Sequence, residues 1–311
     1  MTTKFGSYTG TGVDGLTITG VGFQADLVIV IGMPSNSNAI FRVTSMGANA
    51  SMSIRGDTAS MTNGIKSMNS DGFVVGTDGG VNTNTVTFLY MAVKEDSAND
   101  FKQGSYTGDG ADGKAITGLG FQPAYVLVKP DDTIVGAHKF SGTTDTQMQF
   151  GGDDRTDLFA SLDADGFTLN NGSGSGANLV NRSGIFHNYF AFKNVPGFCT
   201  VVNYTGNGVD NRDITTPNFQ PSAVIIKGNT SAGTAVRTTA HTGDQANFWD
   251  GNQQGNRIQS FISTGFQVGT DQATNQNTTT YSALVLKEGT SVASAVASTA
   301  RAFMTPRTKF W

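Results

Sequence analysis

The sequence predicts an all-β protein made of three tandem antiparallel β-sandwich modules, jelly-roll-like in form, followed by a C-terminal arm. Three observations lead to this prediction. Glycine supplies 40 of the 311 residues, and only 14% of residues are charged, against about 25% in a typical chain. Three long segments align almost without gaps. Apolar residues alternate or form short runs, and no long window shows the i, i+3, i+4, i+7 spacing of a helix.

The internal repeat fixes the module boundaries. The opening tyrosines are Tyr8, Tyr106 and Tyr204, and they lie 98 residues apart. Phe-Gln pairs at residues 23, 121 and 219 keep the same interval. A period near 98 residues is too long for a solenoid repeat and suits a complete small domain. The predicted modules are residues 1–98, 99–196 and 197–289, and residues 290–311 form the arm.

Each module reads as a series of strands. A TGxGxD turn follows the tyrosine, because glycine permits the positive φ angles of tight turns. The alternation in LTITGVGF predicts a half-buried strand, and the runs LVIVI, YVLVK and AVIIK predict a strand buried on both faces. Asp-Gly-Phe marks a hairpin. Residues 62–68 and 255–261 each predict one short helical turn. We therefore expect seven or eight strands per module, in two packed sheets.

The sequence contains no motif of a known catalytic, cofactor or metal site. Cys199 is the only cysteine, which excludes an intrachain disulfide framework. The three histidines fall at different places in their modules, and HExxH and GxSxG patterns are absent. They are His138, His187 and His241. Only two glutamates exist, both at module ends, so paired-carboxylate chemistry on glycans is not expected. The prediction is a protein that is not an enzyme and uses no cofactor.

Acidic residues precede the hairpin glycine in two of the modules. Asp163 and Asp165 have a spacing that can supply oxygen ligands to Ca²⁺. Their equivalents are Asn69 and Asp71 in the first module, and neither carboxylate occurs in the third. Because the carboxylates are lost across the modules, we interpret them as solvated turn residues and predict no metal site.

Residues shared by all three modules are core and turn types, whereas variation is concentrated in loops 33–41, 130–139 and 229–236. An enzyme with one site per module would instead repeat polar residues. Arg42 and Arg237 roughly correspond, and Lys139 lies nearby in the second module. We predict that these three side chains make a cross-strand or interface contact.

Net charge and hydropathy disfavour nucleic acid and membranes as partners of this protein. The net charge of −4 disfavours nucleic acid, whose binding depends on neutralising phosphates. No apolar stretch approaches the roughly 18 residues of a membrane span. The start, MTTKFGSYTGTG, lacks the apolar core of a secretory signal. Synthesis in the cytoplasm and no membrane partner are the expectations.

The last residues lie outside the repeat and combine basic with aromatic side chains. Phe303, Phe310 and Trp311 are the candidate contact residues of this arm. A solvated tail is one interpretation. The favoured one is docking on a neighbouring subunit, since aromatic and basic side chains are common interface anchors.

The pattern YTGxGxDxxxITGxGFQPxxVxxK, followed by SxxxDGF and a last apolar strand ending in lysine, resembles a β-rich domain of tailed-bacteriophage and prophage structural proteins, where it often occurs in tandem. The resemblance covers about residues 5–289 and carries no catalytic motif. The third copy departs from the pattern at TTPNFQ, so its turn is expected to differ. The resemblance implies a virion component.

The leading hypothesis is a head decoration or cement protein that binds capsid or other virion proteins through several linked modules. Whether the modules form a ring or a line, and whether the chain forms a homo-oligomer, stays open. The alternative is a tail fibre or baseplate protein that binds a host-surface glycan through Asn247, Trp249 and Asp250. A glycan-degrading enzyme is a remote third hypothesis.

Overall fold

The protein is described by a computed structural model that defines residues 1–33, 37–56, 59–143, 148–149, 155–172 and 179–291. Within these residues its regular secondary structure is almost entirely antiparallel β-strand, so the predicted all-β fold is confirmed. We call the sequence segments 1–98, 99–196 and 197–289 repeats 1, 2 and 3.

The strands follow the same order in each repeat. Repeat 1 contains β1 (Thr2–Thr9), β2 (Leu16–Thr19), β3 (Leu27–Met33), β4 (Ile40–Val43), β5 (Met52–Ser53), β6 (Ile65–Asn69), β7 (Gly72–Val75), α1 (Gly79–Asn82) and β8 (Thr87–Lys94). Repeat 2 contains β9 (Phe101–Thr107), β10 (Lys114–Thr117), β11 (Pro123–Pro130), β12 (Ala137–Phe140), β13 (Met148–Gln149), β14 (Phe159–Asp163), β15 (Gly166–Leu169) and β16 (Phe186–Lys193). Repeat 3 and the residues after it contain β17 (Cys199–Thr205), β18 (Arg212–Ile214), β19 (Ala223–Gly228), β20 (Ala235–Thr238), β21 (Ala246–Phe248), β22 (Gln253–Gln254), β23 (Ile258–Ile262), β24 (Gly265–Val268), α2 (Gln272–Asn275), β25 (Thr280–Leu286) and β26 (Gly289–Thr290).

Each repeat builds one large and one small sheet. The large sheets have the orders β26-β1-β8-β3-β4-β5, β13-β12-β11-β16-β9 and β17-β25-β19-β20-β21-β22. The small sheets have the orders β2-β7-β6, β10-β15-β14 and β18-β24-β23. In every repeat the Asp-Gly-Phe or Thr-Gly-Phe segment forms the hairpin of the small sheet, as predicted.

The large sheet of each repeat is covered on both faces, which explains its continuous apolar central strand. In β3, Val28 and Val30 pack with the small sheet of repeat 1. Leu27, Ile29 and Ile31 point the other way, into a cluster that also contains residues of repeats 2 and 3. Because successive side chains of a strand alternate between faces, one strand serves both cores.

The second cluster is a core shared by all three repeats. It contains Phe41 and Met91 from repeat 1, Phe140 and Phe190 from repeat 2, and Trp249 with others from repeat 3. The Phe41 and Phe190 rings meet edge to face at 5.9 Å. The repeats therefore pack around a common centre. The division into separate domains at residues 98 and 196 stays a prediction, since this core belongs to none of them alone.

Hydrogen bonds link each repeat to both of its neighbours around that centre. In two of them a residue after β4 or β12 meets the first strand of the next repeat, and in the third, β21 of repeat 3 meets β3 of repeat 1. The pairs are Ser45 N with Gln103 Oε1 at 3.0 Å, Ser141 O with Asn203 Nδ2 at 3.0 Å, and Gly32 O with Asn247 Nδ2 at 3.2 Å. The third pair returns from repeat 3 to repeat 1, so the arrangement is closed and not linear.

The segment that follows β25 and includes β26 packs on repeat 1 in the way that the linker between repeats 2 and 3 packs on repeat 3. In the linker before repeat 3, Val195 pairs with Cys199. At the same register on repeat 1, Gly289 of β26 pairs with Thr3. Since Thr3 and Cys199 occupy equivalent places beside the last strand of their repeats, the segment after β25 pairs with repeat 1 as the segment after β16 pairs with repeat 3.

The predicted helical turns at residues 62–68 and 255–261 are wrong. These segments lead into the strands β6 and β23, because pairing with the hairpin partner overrides a weak local preference. The short helices lie further along, at α1 and α2. Their N-caps, Asp78 and Asp271, accept a hydrogen bond from the backbone of Gly80 and Ala273, as N-cap carboxylates commonly do.

Candidate functional site

The repeated tyrosines are bound inside the fold. Tyr8 donates from its hydroxyl to Val81 O at 2.7 Å, and Tyr204 donates to Thr274 O at 2.6 Å. Tyr106 donates to Val180 O in the same way. Each ring also stacks on a ring of the last strand, at centroid distances of 5.4, 5.0 and 5.3 Å for Phe88, His187 and Tyr281. The tyrosines are therefore repeated for packing.

A buried asparagine in each repeat was missed by the sequence analysis. Asn82 accepts from Thr11 N at 2.8 Å, and its amide donates to Val13 O at 2.8 Å and Gly76 O at 2.7 Å. Asn181 and Asn275 hold the equivalent TGxGxD turns. All three side chains are fully buried. The available sequence signal was an asparagine following Val81, Val180 and Thr274.

The hairpin aspartates bind backbone amides. Asp71 accepts from Gly20 N at 3.1 Å and Gly22 N at 2.7 Å, and these bonds lower its pKa. Asp165 accepts from Gly118 N and Gly120 N in repeat 2. No group of three or more metal-ligating side chains occurs in the part of the chain that the structure describes. The aspartates thus serve the ITGxGF turn.

The cationic candidates Arg42, Lys139 and Arg237 occupy one register position, opposite Val28, Val126 and Val224. All three are buried. Arg42 donates to the carbonyl of Ala50, and Arg237 donates to Gly243 O at 2.7 Å and to Gln245 O. Burial lowers the pKa of both arginines. The arginines secure the segment after their own strand and present little surface to an external partner.

The proposed glycan residues lie between repeats 3 and 1. Trp249 is 2% exposed, and its carbonyl accepts from Ala39 N at 2.6 Å. Asn247 is buried and reaches Gly32 O, and Asp250 forms an ion pair with Arg55. A ring this deeply buried cannot stack on a sugar, so the three residues hold the repeats together.

The aromatic residues of the arm, Phe303, Phe310 and Trp311, lie outside the described residues, and their docking stays a prediction. The described start of this segment runs along repeat 1. Ser291 N donates to Met1 O at 2.9 Å, beside the pairing of Thr290 with Thr2.

The histidines are buried and neutral. His187 stacks on Tyr106, and His241 bridges Thr238 N at 3.0 Å and Asn247 Oδ1 at 2.8 Å. Burial lowers the pKa of both rings to about 4. His138 lies beside the Tyr125 hydroxyl at 3.0 Å, and burial lowers its pKa well below the ordinary value. These environments suit structural roles.

The large sheet and small sheet of repeat 2 enclose an open cleft of about 500 Å³. Its polar lining is used within the protein. Gln122 donates to Leu162 O at 2.7 Å, and Ser161 donates to Asp163 Oδ1 at 2.5 Å. The cleft offers a polar recess and no pair of acid and base groups among its described lining residues.

The molecule has two different ends. Residues 95–100, 194–198 and 287–291 meet at one of them, which we call the linker end. There the Met1 nitrogen donates to Asp96 Oδ1 at 2.7 Å and to Ser291 Oγ at 2.8 Å. At the opposite end, the loop end, Ser60 N donates to Asp131 Oδ1 at 2.6 Å and Arg55 pairs with Asp250. Equivalent segments of the three repeats therefore lie at the same end.

Comparison with known protein families finds none that matches the chain, and comparison with curated proteins finds no similar sequence. In the described residues, no helix has the length and apolar character needed to cross a membrane. The fold and the site define a class of protein: an all-β chain whose repeats surround one shared core.

Proposed function

We propose that this chain is a structural component of a bacteriophage virion, and most specifically a head decoration or cement protein that binds the capsid surface multivalently. One observation carries the proposal. Three copies of one strand frame are held around a shared core and closed by β26. Such a block presents three equivalent surfaces in fixed positions.

The fixed arrangement favours multivalent binding. Once one repeat has bound, the other two are already held near their own sites, so their binding is effectively intramolecular. A rigid core also avoids the entropy loss of ordering separate modules on the partner. Weak contacts in each repeat would then add up to stable attachment without a deep pocket.

The use of the repeated residues supports a structural role over an enzymatic one. The tyrosines and asparagines of all three repeats, and the hairpin aspartates of repeats 1 and 2, bind backbone groups of their own repeat. A catalytic site kept in every repeat would leave recurring polar side chains available to a substrate. The virion assignment itself rests on the resemblance of the repeat pattern to phage structural proteins.

Co-sedimentation with undecorated capsids of the phage that encodes the chain tests this proposal. Three forms are compared: the full chain, a truncation after Ser291 that keeps β26, and a truncation after Lys287 that removes it. We expect saturable binding by the full chain. If only the form that ends at Lys287 fails to bind, attachment depends on the closed arrangement of the repeats. If the form that ends at Ser291 also fails to bind, attachment depends on the arm.

If no form binds capsids, the decoration proposal fails. A tail fibre or baseplate protein that binds a host glycan is then the next function to test, on an array of host-surface glycans. Turnover of a polysaccharide by the purified chain would contradict both structural roles.

A further inference from the structure

One lysine at the linker end of each repeat has no side-chain partner among the residues that the structure describes. Lys94, Lys193 and Lys287 each follow the last buried residue of their repeat's final strand. All three are exposed, and none forms an ion pair or a side-chain hydrogen bond with a described residue. Among the recurring residues they differ from the tyrosines and asparagines, which are used inside the fold.

Backbone contacts place the three lysines at the same end. Lys94 pairs with Thr2, which also pairs with Thr290, three residues after Lys287. Lys193 N donates at 2.9 Å to the carbonyl of Asp100, whose side chain meets the Met1 nitrogen. The three strand ends therefore surround the Met1 region.

The carboxylates at this end are engaged by other donors. Glu288 accepts from Lys4 at 2.7 Å, and Glu95 pairs with Lys102. Asp96 binds the Met1 nitrogen, and Asp26 accepts from Glu95 N at 2.8 Å. No described carboxylate thus neutralises the charge of the three lysines by a direct contact. An exposed lysine with a free ammonium can pair with a carboxylate on another molecule.

The sequence beyond the described residues is also basic. The chain continues beyond Ser291 into residues 292–311, which contain no Asp or Glu. Their basic residues are Arg301, Arg307 and Lys309. This concentration contrasts with the net charge of −4 for the whole chain. A net negative chain with exposed lysines gathered at one end is suited to a partner that is acidic where they meet.

We propose that the linker end is the docking face, and that Lys94, Lys193 and Lys287 bind an acidic protein surface presented in three copies. This inference deepens the proposed function by naming the face and the chemistry of the partner. One such lysine per repeat, all at the same end of the molecule, suits a partner that offers several copies of one acidic surface. Each pair is weak alone, but three act together.

Binding of the full chain to a poly-L-glutamate surface, measured at increasing salt concentration, tests the inference. The variant carries Lys94→Gln, Lys193→Gln and Lys287→Gln. The control removes the same charge from the loop end through Lys66→Gln, Lys114→Gln and Arg182→Gln, whose side chains form ion pairs there. We expect salt-sensitive binding that weakens by about tenfold or more in the variant and not in the control.

Replacement of the same three lysines by arginine keeps the charge and should keep the binding, which separates charge from folding. Equal loss in variant and control would overturn the assigned face. Stronger binding to duplex DNA than to poly-L-glutamate would overturn the acidic-protein partner, as would no binding by the full chain. Lysine-dependent binding to poly-L-glutamate with no capsid binding would reject the decoration function alone.

Discussion

Repeats 1 and 2 fill the contact between their first and last strands differently from repeat 3. Gly6 lies opposite Tyr90 and Gly104 opposite Tyr189, whereas Val202 lies opposite Ala283. The tyrosine ring covers the glycine so closely that a Cβ there would overlap it. In repeat 3 the larger side chain, Val202, lies on the first strand, and the last strand has the small Ala283. The repeats thus conserve the filling of the space and not the residue that fills it.

The ITGxGF turn shows the same paired change. In repeats 1 and 2, glycine amides of the turn are bound by the hairpin aspartate. Repeat 3 has lost both the glycines and the aspartate, and Asn218 N donates instead to the carbonyl of Thr264 at 2.9 Å. Residues in contact have changed together, while the buried asparagine has not changed in any repeat.

The largest effect is expected at that unchanged asparagine. Asn82→Ala leaves Thr11 N, Val13 O and Gly76 O without their side-chain partner inside the protein. Unpaired buried polar groups cost on the order of 2–4 kcal/mol in total. Chemical denaturation should therefore show a loss of this size in the free energy of unfolding.

Asn275→Ala should cost a similar amount, because its bonds are equivalent despite the other changes in repeat 3. The exposed neighbour Asn84→Ala is the control, with an expected change within about 0.5 kcal/mol. Similar results for Asn82→Ala and Asn84→Ala would show that the buried amide contributes nothing special.

The glycine and tyrosine pair of repeat 1 can be tested by introducing the valine and alanine that repeat 3 has at these positions. Gly6→Val alone should destabilise by about 2–3 kcal/mol, since it overpacks against Tyr90. Tyr90→Ala alone leaves a cavity beside Phe73, whose ring lies 5.4 Å away. The double variant restores a valine opposite an alanine, so we expect a favourable coupling of about 1 kcal/mol or more.

The four free energies of unfolding that make this cycle come from the same denaturation experiment. Strictly additive losses would mean that the two residues do not compensate each other. The matched cycle in repeat 3, Val202→Gly with Ala283→Tyr, should show coupling of the same sign.

The local pattern of the sequence predicted the strands better than the elements that pack against them. Alternation and the Asp-Gly-Phe turn depend on neighbouring residues, so the all-β fold and the hairpins are confirmed. The shared core could not be predicted, because a strand with two apolar faces does not reveal what covers each face. The sequence predicts a cross-strand or interface contact for Arg42 and, in the alternative function, a glycan contact for Trp249. It does not show that loop carbonyls enclose the first and a neighbouring repeat the second.

A third prediction concerns the loss of stability at acidic pH. Repeat 1 has Phe88 where repeat 2 has His187, and both stack on the opening tyrosine. The folded-state pKa of His187 is lowered to about 4 from the ordinary 6.5. Between these values the unfolded chain binds the proton and the folded chain does not. The contribution of neutral His187 is therefore present above pH 6.5 and lost as pH falls towards 4.

His187→Phe should reduce that acid-dependent loss by on the order of 2 kcal/mol. The free energy of unfolding of both proteins is measured between pH 7 and pH 4. His241, whose pKa is also lowered to about 4, keeps part of the pH dependence in the variant. Identical pH profiles would show that His187 does not remain neutral inside the fold.

The smallest effect is expected at the glycine turn. Asp71→Asn removes the charge that accepts from Gly20 N and Gly22 N, so the exchange of these two amides with solvent should accelerate. The pKa of Asp71 is lowered by these bonds, so the stability that its carboxylate contributes is present above pH 3.8 and is lost as pH falls through the folded pKa.

Thr264→Ala in repeat 3 is the contrast, because Asn218 N binds a backbone carbonyl there and not a side chain. Unchanged exchange in the first variant, or faster exchange at Asn218 in the second, would contradict the view that repeat 3 replaced a side-chain contact with a backbone one.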